Sequence, residues 1–176
     1  MSFAATTERG RPTLVIGLGN PILGDDGVGW RVVEALEARL AVDDDARREA
    51  GDVEFDCVAV GGLSLMERLV GYDRVILVDS ILGAAPPGSL TVGSLAETAC
   101  RLAGHLDSAH DAPLTGALRA GRALGAHLPA EITVVGVAVR CVDTFGERLS
   151  APVATAVDPA VTAILGQLGR RPVAIA

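Results

Sequence analysis

The run Thr13-Leu14-Val15-Ile16-Gly17-Leu18-Gly19, followed at once by Asn20-Pro21-Ile22-Leu23-Gly24-Asp25-Asp26-Gly27-Val28-Gly29, decides the architecture. A short β-branched run that ends in glycines reads as a strand covered on both faces, the habit of parallel sheets in α/β proteins. Directly beyond it, Val28, Val32, Val33, Leu36 and Leu40 recur at helical spacing. Arg31, Glu34, Glu37 and Arg39 fall opposite, so Val28–Leu40 reads as an amphipathic helix. The alternation then repeats. Val53–Val60, Arg74–Asp79 and Glu131–Val139 read as strands, and Leu63–Val70, Leu114–Leu124 and Val153–Leu168 as helices. Ser89–Leu95, after the Pro86-Pro87-Gly88 turn, reads as an edge strand. This order predicts an α/β fold: a three-layer α/β/α sandwich around a mostly parallel, twisted sheet of about five strands.

Composition agrees and narrows the partners. The chain has 176 residues, 49% hydrophobic and 21% charged, enough apolar content to offset the ordering entropy that keeps polar chains unfolded. A single domain over residues 13–169 is expected, with a frayed N-terminus over 1–12 and a tail over 170–176. No apolar run approaches the roughly 20 residues of a membrane span, and the polar start lacks a signal-peptide core, so a cytoplasmic location is expected. The formal net charge is −7 and every basic residue is arginine, which leaves no electrostatic footprint for nucleic acid or an anionic membrane. A monomer is favoured. Asp43–Asp45 reads as a solvated turn after the first helix. Cys57, Cys100 and Cys141 are odd in number and far apart, which speaks against a disulfide framework or a zinc cluster. Cys57 and Cys141 lie in apolar runs and are expected to be buried.

In open α/β sheets ligands bind beyond the carboxyl ends of the strands, so the loops there hold the candidates. The first loop is not a dinucleotide fingerprint, because Ile22 stands at its third glycine position, and without lysine it is not a phosphate loop. It offers instead Asp25 and Asp26 where a helix begins, and one of them is expected to cap that helix. Asp79 closes the apolar run Val75-Ile76-Leu77-Val78 and points to the sheet's carboxyl edge, or serves with Ser80 as a turn residue. His110 lies in the polar loop Leu106–Pro113, whereas His105 and His127 read as ordinary surface or helix residues. Asp26, Asp79 and His110 together would form an oxygen-oxygen-nitrogen set suited to a divalent ion such as zinc or nickel, with positions left for water or substrate.

These residues carry a resemblance. Val15-Ile16-Gly17-Leu18-Gly19-Asn20, Gly24-Asp25-Asp26-Gly27-Val28-Gly29, Gly61-Gly62, Val75–Asp79, Ser108-Ala109-His110, Val134-Val135-Gly136-Val137 and Leu149-Ser150-Ala151-Pro152-Val153 resemble the nickel–iron hydrogenase maturation proteases. That resemblance implies an aspartic-type endopeptidase that trims the C-terminal extension of the hydrogenase large-subunit precursor after nickel insertion. It places metal binding on Asp26, Asp79 and His110, catalysis on Asp26 and Asp79, and substrate engagement on Gly61 and Gly62. Leu63-Ser64-Leu65 departs from the family pattern directly after those glycines. The implied partner is the nickel-loaded precursor, which brings the nickel; no tightly bound cofactor of the enzyme's own is expected. Serine, cysteine and His-Glu-x-x-His protease motifs are missing from the sequence. Two rival readings are a non-catalytic chaperone that checks nickel loading and a doubly wound small-cofactor binding module.

Overall fold

The computed structural model describes residues 12–98 and 113–170. Five strands form one sheet in the order β2-β1-β3-β5-β4: β1 (Thr13–Leu18), β2 (Val53–Val58), β3 (Arg74–Leu82), β4 (Leu90–Ser94) and β5 (Glu131–Val139). All pairings are parallel except β4 with β5, so the strand expected at the edge is one of the two edge strands and the antiparallel one.

Among the described residues seven helices flank the sheet: α1 (Val28–Val42), α2 (Asp44–Ala50), α3 (Gly62–Arg68), α4 (Leu95–Thr98), α5 (Leu114–Ala123), α6 (Ala151–Thr155) and α7 (Val157–Leu168). The strands alternate their side chains between two apolar layers, as pleating requires. Val15, Ile76, Val78, Val135 and Val137 pack with α1, α6 and α7 through Val32, Leu36, Val153, Ala160 and Ile164. Leu14, Ile16, Val75, Leu77 and Val134 pack with α3 and α5 through Leu65, Leu69, Leu114 and Leu118. Residues Ala151–Leu168 are apolar and long enough to span a membrane by composition alone. Their apolar side is a core face that covers the sheet.

Three expectations need correction. Arg74–Asp79 is too short: β3 runs on to Leu82, because β5 continues to pair with it through Leu82↔Val139 after its pairing with β1 has ended at Gly17↔Val78. Asp79 is therefore inside the strand, one residue past the last one paired with β1. The Asp43–Asp45 run is a helix start and not a turn. Asp43 caps α2, its carboxylate accepting from the Ala46 amide at 3.0 Å, and that bond together with the Arg39 guanidinium holds its carboxyl below the usual carboxylate range. Cys141 is exposed, because β5 ends at Val139; its thiol donates to Asp143 Oδ1 at 2.6 Å. Cys57 is half-buried against the α1 layer. Burial, reinforced by the charges of Glu34 and Asp56, pushes its thiol up to about 11. Cys100 lies outside the described residues.

Candidate active site at the carboxyl edge of the sheet

The order of the strands creates the site. The chain leaves β1 through α1 toward β2 on one side, and later returns to β3 on the other, so the β1/β3 boundary is the topological switch point where open α/β sheets bind ligands. Tight approach of α1 to this boundary explains the glycines of the first loop. A Cβ on Gly29 would stand 2.5 Å from the Val78 carbonyl oxygen and overlap that of Leu18 as well. Gly19 has φ +115°, in the region that glycine occupies readily, and a Cβ there would overlap the Asp26 carbonyl. The two glycines let the loop fold back over the end of β1, which brings Asp26 to the crevice.

Asp26 lies in a single 3-10 turn, Gly24–Gly27, between β1 and α1, and is 1% exposed. The Asn20 amide donates to its Oδ2 at 2.7 Å, and the Ser80 hydroxyl donates to its Oδ1 at 3.2 Å. Asp79 is also 1% exposed, and its Oδ1 accepts the Ser80 amide at 2.8 Å. The fold thus brings both predicted carboxylates to hydrogen-bonding distance of one residue at the switch point. Carboxylates buried this deeply persist only where donors or cations compensate their desolvation.

The expectation that one of the first-loop aspartates caps α1 is wrong. Gly27 is the N-cap and has no side chain, so α1 begins without a side-chain cap bond. Asp25 instead reaches across the molecule: its Oδ1 accepts the Ser150 amide at 2.6 Å and its Oδ2 the Ser150 hydroxyl at 2.8 Å. Beside it, the Gly24 amide donates to the Gly146 carbonyl at 2.5 Å and the Gly146 amide to that of Ile22 at 3.0 Å. The loop after β1 and the segment leading to α6 are fastened together.

Gly61 and Gly62 begin α3, beyond the carboxyl end of β2; Gly61 is the N-cap and Gly62 has φ +53°. His110 and His105 lie outside the described residues. His127 is remote from the site: its Nε2 is 2.6 Å from Asp73 Oδ1, at the amino end of β3. Among the described residues no group of three His, Cys, Asp or Glu side chains is arranged to hold a metal ion, so Asp26 and Asp79 are the pair available there. Sequence reasoning passed over Ser80 as a turn residue. The signal was present: Asp79-Ser80 is a polar pair inside the buried run Arg74–Ile81, and pleating sends the two to opposite faces.

A family model described as hydrogenase maturation protease matches residues 30–167. The chain belongs to the hydrogenase maturation protease family. It is 29% identical over 156 residues to the hydrogenase 2 maturation protease of Escherichia coli K12, covering 88% of this chain and 89% of that one. Among solved structures it resembles the hydrogenase maturating endopeptidase HybD from E. coli, with TM-score 0.71, 28% identity and coverage of 90% and 92%. A hydrogenase 2 maturation peptidase from a Thaumarchaeota archaeon matches with TM-score 0.58, 31% identity and coverage of 90% and 99%. The α/β fold of this family member is thus that of known maturation endopeptidases, and its enzyme class is peptidase.

Proposed function

We propose that this maturation protease removes the C-terminal extension of a nickel–iron hydrogenase large-subunit precursor, and that the nickel already seated in the precursor docks on Asp26, Asp79 and His110. The observation that supports this reading is the pair of almost fully buried carboxylates at the β1/β3 switch point, each kept in place by hydrogen-bond donors. Carboxylate oxygens with an imidazole nitrogen suit a borderline divalent ion, and open positions on that ion would face the scissile peptide. In the hydrolysis, water adds to the peptide carbonyl, the C–N bond breaks and a proton passes to the departing amine. Asp26 and Asp79 serve as the catalytic carboxylates, orienting the metal-proximal peptide and accepting the proton of the attacking water. Gly61 and Gly62, at the head of α3, engage the substrate chain in this reading. The enzyme keeps no cofactor of its own, acts as a cytoplasmic monomer and works as one domain over residues 13–169.

The test is incubation with nickel-loaded and nickel-free precursor, followed by intact-mass spectrometry. One shortened product from the loaded precursor alone is expected, lost in Asp26→Ala and His110→Ala while both variants stay folded. A stable complex with unshortened precursor would overturn the proposal and favour a chaperone.

A further inference from the structure

We propose that Ser80 is the positioning residue that sets the two carboxylates against each other; the assignment rests on reading the Asp26–Asp79 crevice as the catalytic site. Ser80 is 8% exposed and donates twice, its amide to Asp79 Oδ1 at 2.8 Å and its hydroxyl to Asp26 Oδ1 at 3.2 Å. Its backbone is fixed by the sheet, since Asp79 and Ser80 lie in register with Gly136 and Val137 of β5. Neighbouring side chains leave a strand on opposite faces, so Asp79 projects toward the α3 and α5 layer and Ser80 toward α1. Asp26 arrives from that α1 side, at the turn leading into the helix. One residue therefore joins acids that reach the crevice from two directions.

The chemistry suits a neutral donor. A hydroxyl orients Asp26 Oδ1 without adding a positive charge beside the two acids. The Asn20 amide holds Asp26 Oδ2, and the two donors together fix the plane of that carboxylate. Without the hydroxyl, one of the bonds that set the carboxylate about its terminal torsion, which is soft and roughly two-fold, is lost. The distance between the catalytic oxygens then ceases to be set by the sheet.

The experiment compares Ser80→Ala and Ser80→Thr with the wild type by thermal melting, crystal structure and single-site kinetics on nickel-loaded precursor. Ser80→Ala should keep the fold, show the Asp26 carboxylate turned from its wild-type plane, and lose about 10–100-fold in kcat with KM little changed, the loss expected when a bond to a charged group disappears. Ser80→Thr, which keeps the hydroxyl, should restore most of kcat. Should Ser80→Ala fail to fold, Ser80→Cys keeps the volume and substitutes a weak donor, and the same results are expected of it. An unmoved Asp26 in the variant crystal, or an unchanged kcat, overturns the assignment. A wild-type protein that never cleaves the precursor overturns the proposed function instead; the variant crystal then still decides the role of Ser80.

Discussion

Asp25 and Asp26 are neighbours of identical chemistry, and the structure gives them unrelated work, so exchanging each for alanine should separate stability from activity. Asp25 is half-buried and ties the first loop to Ser150 through two hydrogen bonds, at 2.6 and 2.8 Å. Bonds to a charged group are worth about 1.5–3 kcal/mol each, and partial exposure moves these two toward or below the lower end. Asp25→Ala should therefore cost about 2 kcal/mol, or about 4–8 °C in Tm at this chain length. Ser150→Ala removes the hydroxyl bond and leaves the amide bond, so it should cost about half as much. In the double variant the losses should be less than additive, because the hydroxyl bond is already gone once Asp25 is removed.

Asp26→Ala behaves differently. It removes the acceptor of the Asn20 amide and the Ser80 hydroxyl from the crevice, and cleavage of the precursor should vanish while a cooperative melt remains. Urea unfolding of the four variants, paired with mass spectrometry of precursor processing, measures both axes. If Asp25→Ala leaves stability unchanged, the Ser150 clamp is energetically idle. If Asp25→Ala abolishes cleavage at full stability while Asp26→Ala cleaves normally, the two roles have been assigned to the wrong residues.

Other outcomes follow from the packing and the thiols. Gly29→Ala should destabilise by about 3 kcal/mol, because its Cβ meets main-chain oxygens of both β1 and β3 that cannot step aside; denaturant unfolding checks this. Arg74 is buried and donates to the carbonyls of Gln167 at 2.6 Å and Arg170 at 3.1 Å, capping the end of α7. Arg74→Leu should lower stability by about 2–3 kcal/mol and free the end of α7 to hydrogen exchange. Cys57 should resist iodoacetamide at pH 8 while Cys141 reacts, as read by peptide mapping, since a thiol pushed up to about 11 supplies little thiolate there. The sign of the shift also matters for stability. A thiol that loses its proton more readily unfolded than folded makes stability fall as pH rises from about 9 toward 11, and Cys57→Ala should flatten that part of the profile.

The fold was legible because it is written in local patterns. Two periodicities, one for strands buried on both faces and one for amphipathic helices, suffice to give the layers, the strands and the longer helices, but not the short helices α2 and α4. The position of Asp79 at the sheet's carboxyl edge follows from the same reading. Boundaries governed by a partner strand were not legible: β3 outlasts its apparent end because β5 supplies a ladder through Leu82, and nothing within Arg74–Asp79 announces it. Burial of Cys141 was misread for a similar reason, since the apolar character of Glu131–Val139 ends two residues before it.

What the first loop does could not be read from the loop itself. Asp25 bonds a residue 125 positions away, and Asp26 one 54 positions away, so a local rule that hands one acid near a helix start to the helix amides could not find these partners. The capping rule fails here for a physical reason. The close approach of α1 to β1 and β3 at Gly29 brings the backbone of the loop down on the sheet, and the acid side chains are carried past the helix start to partners on other elements. Glycine at that contact and acid at position 26 are thus parts of one arrangement. A larger residue at Gly29 would move Asp26 away from Ser80 as surely as it would loosen the core, so Gly29→Ala should lower precursor cleavage even at temperatures where the variant remains fully folded.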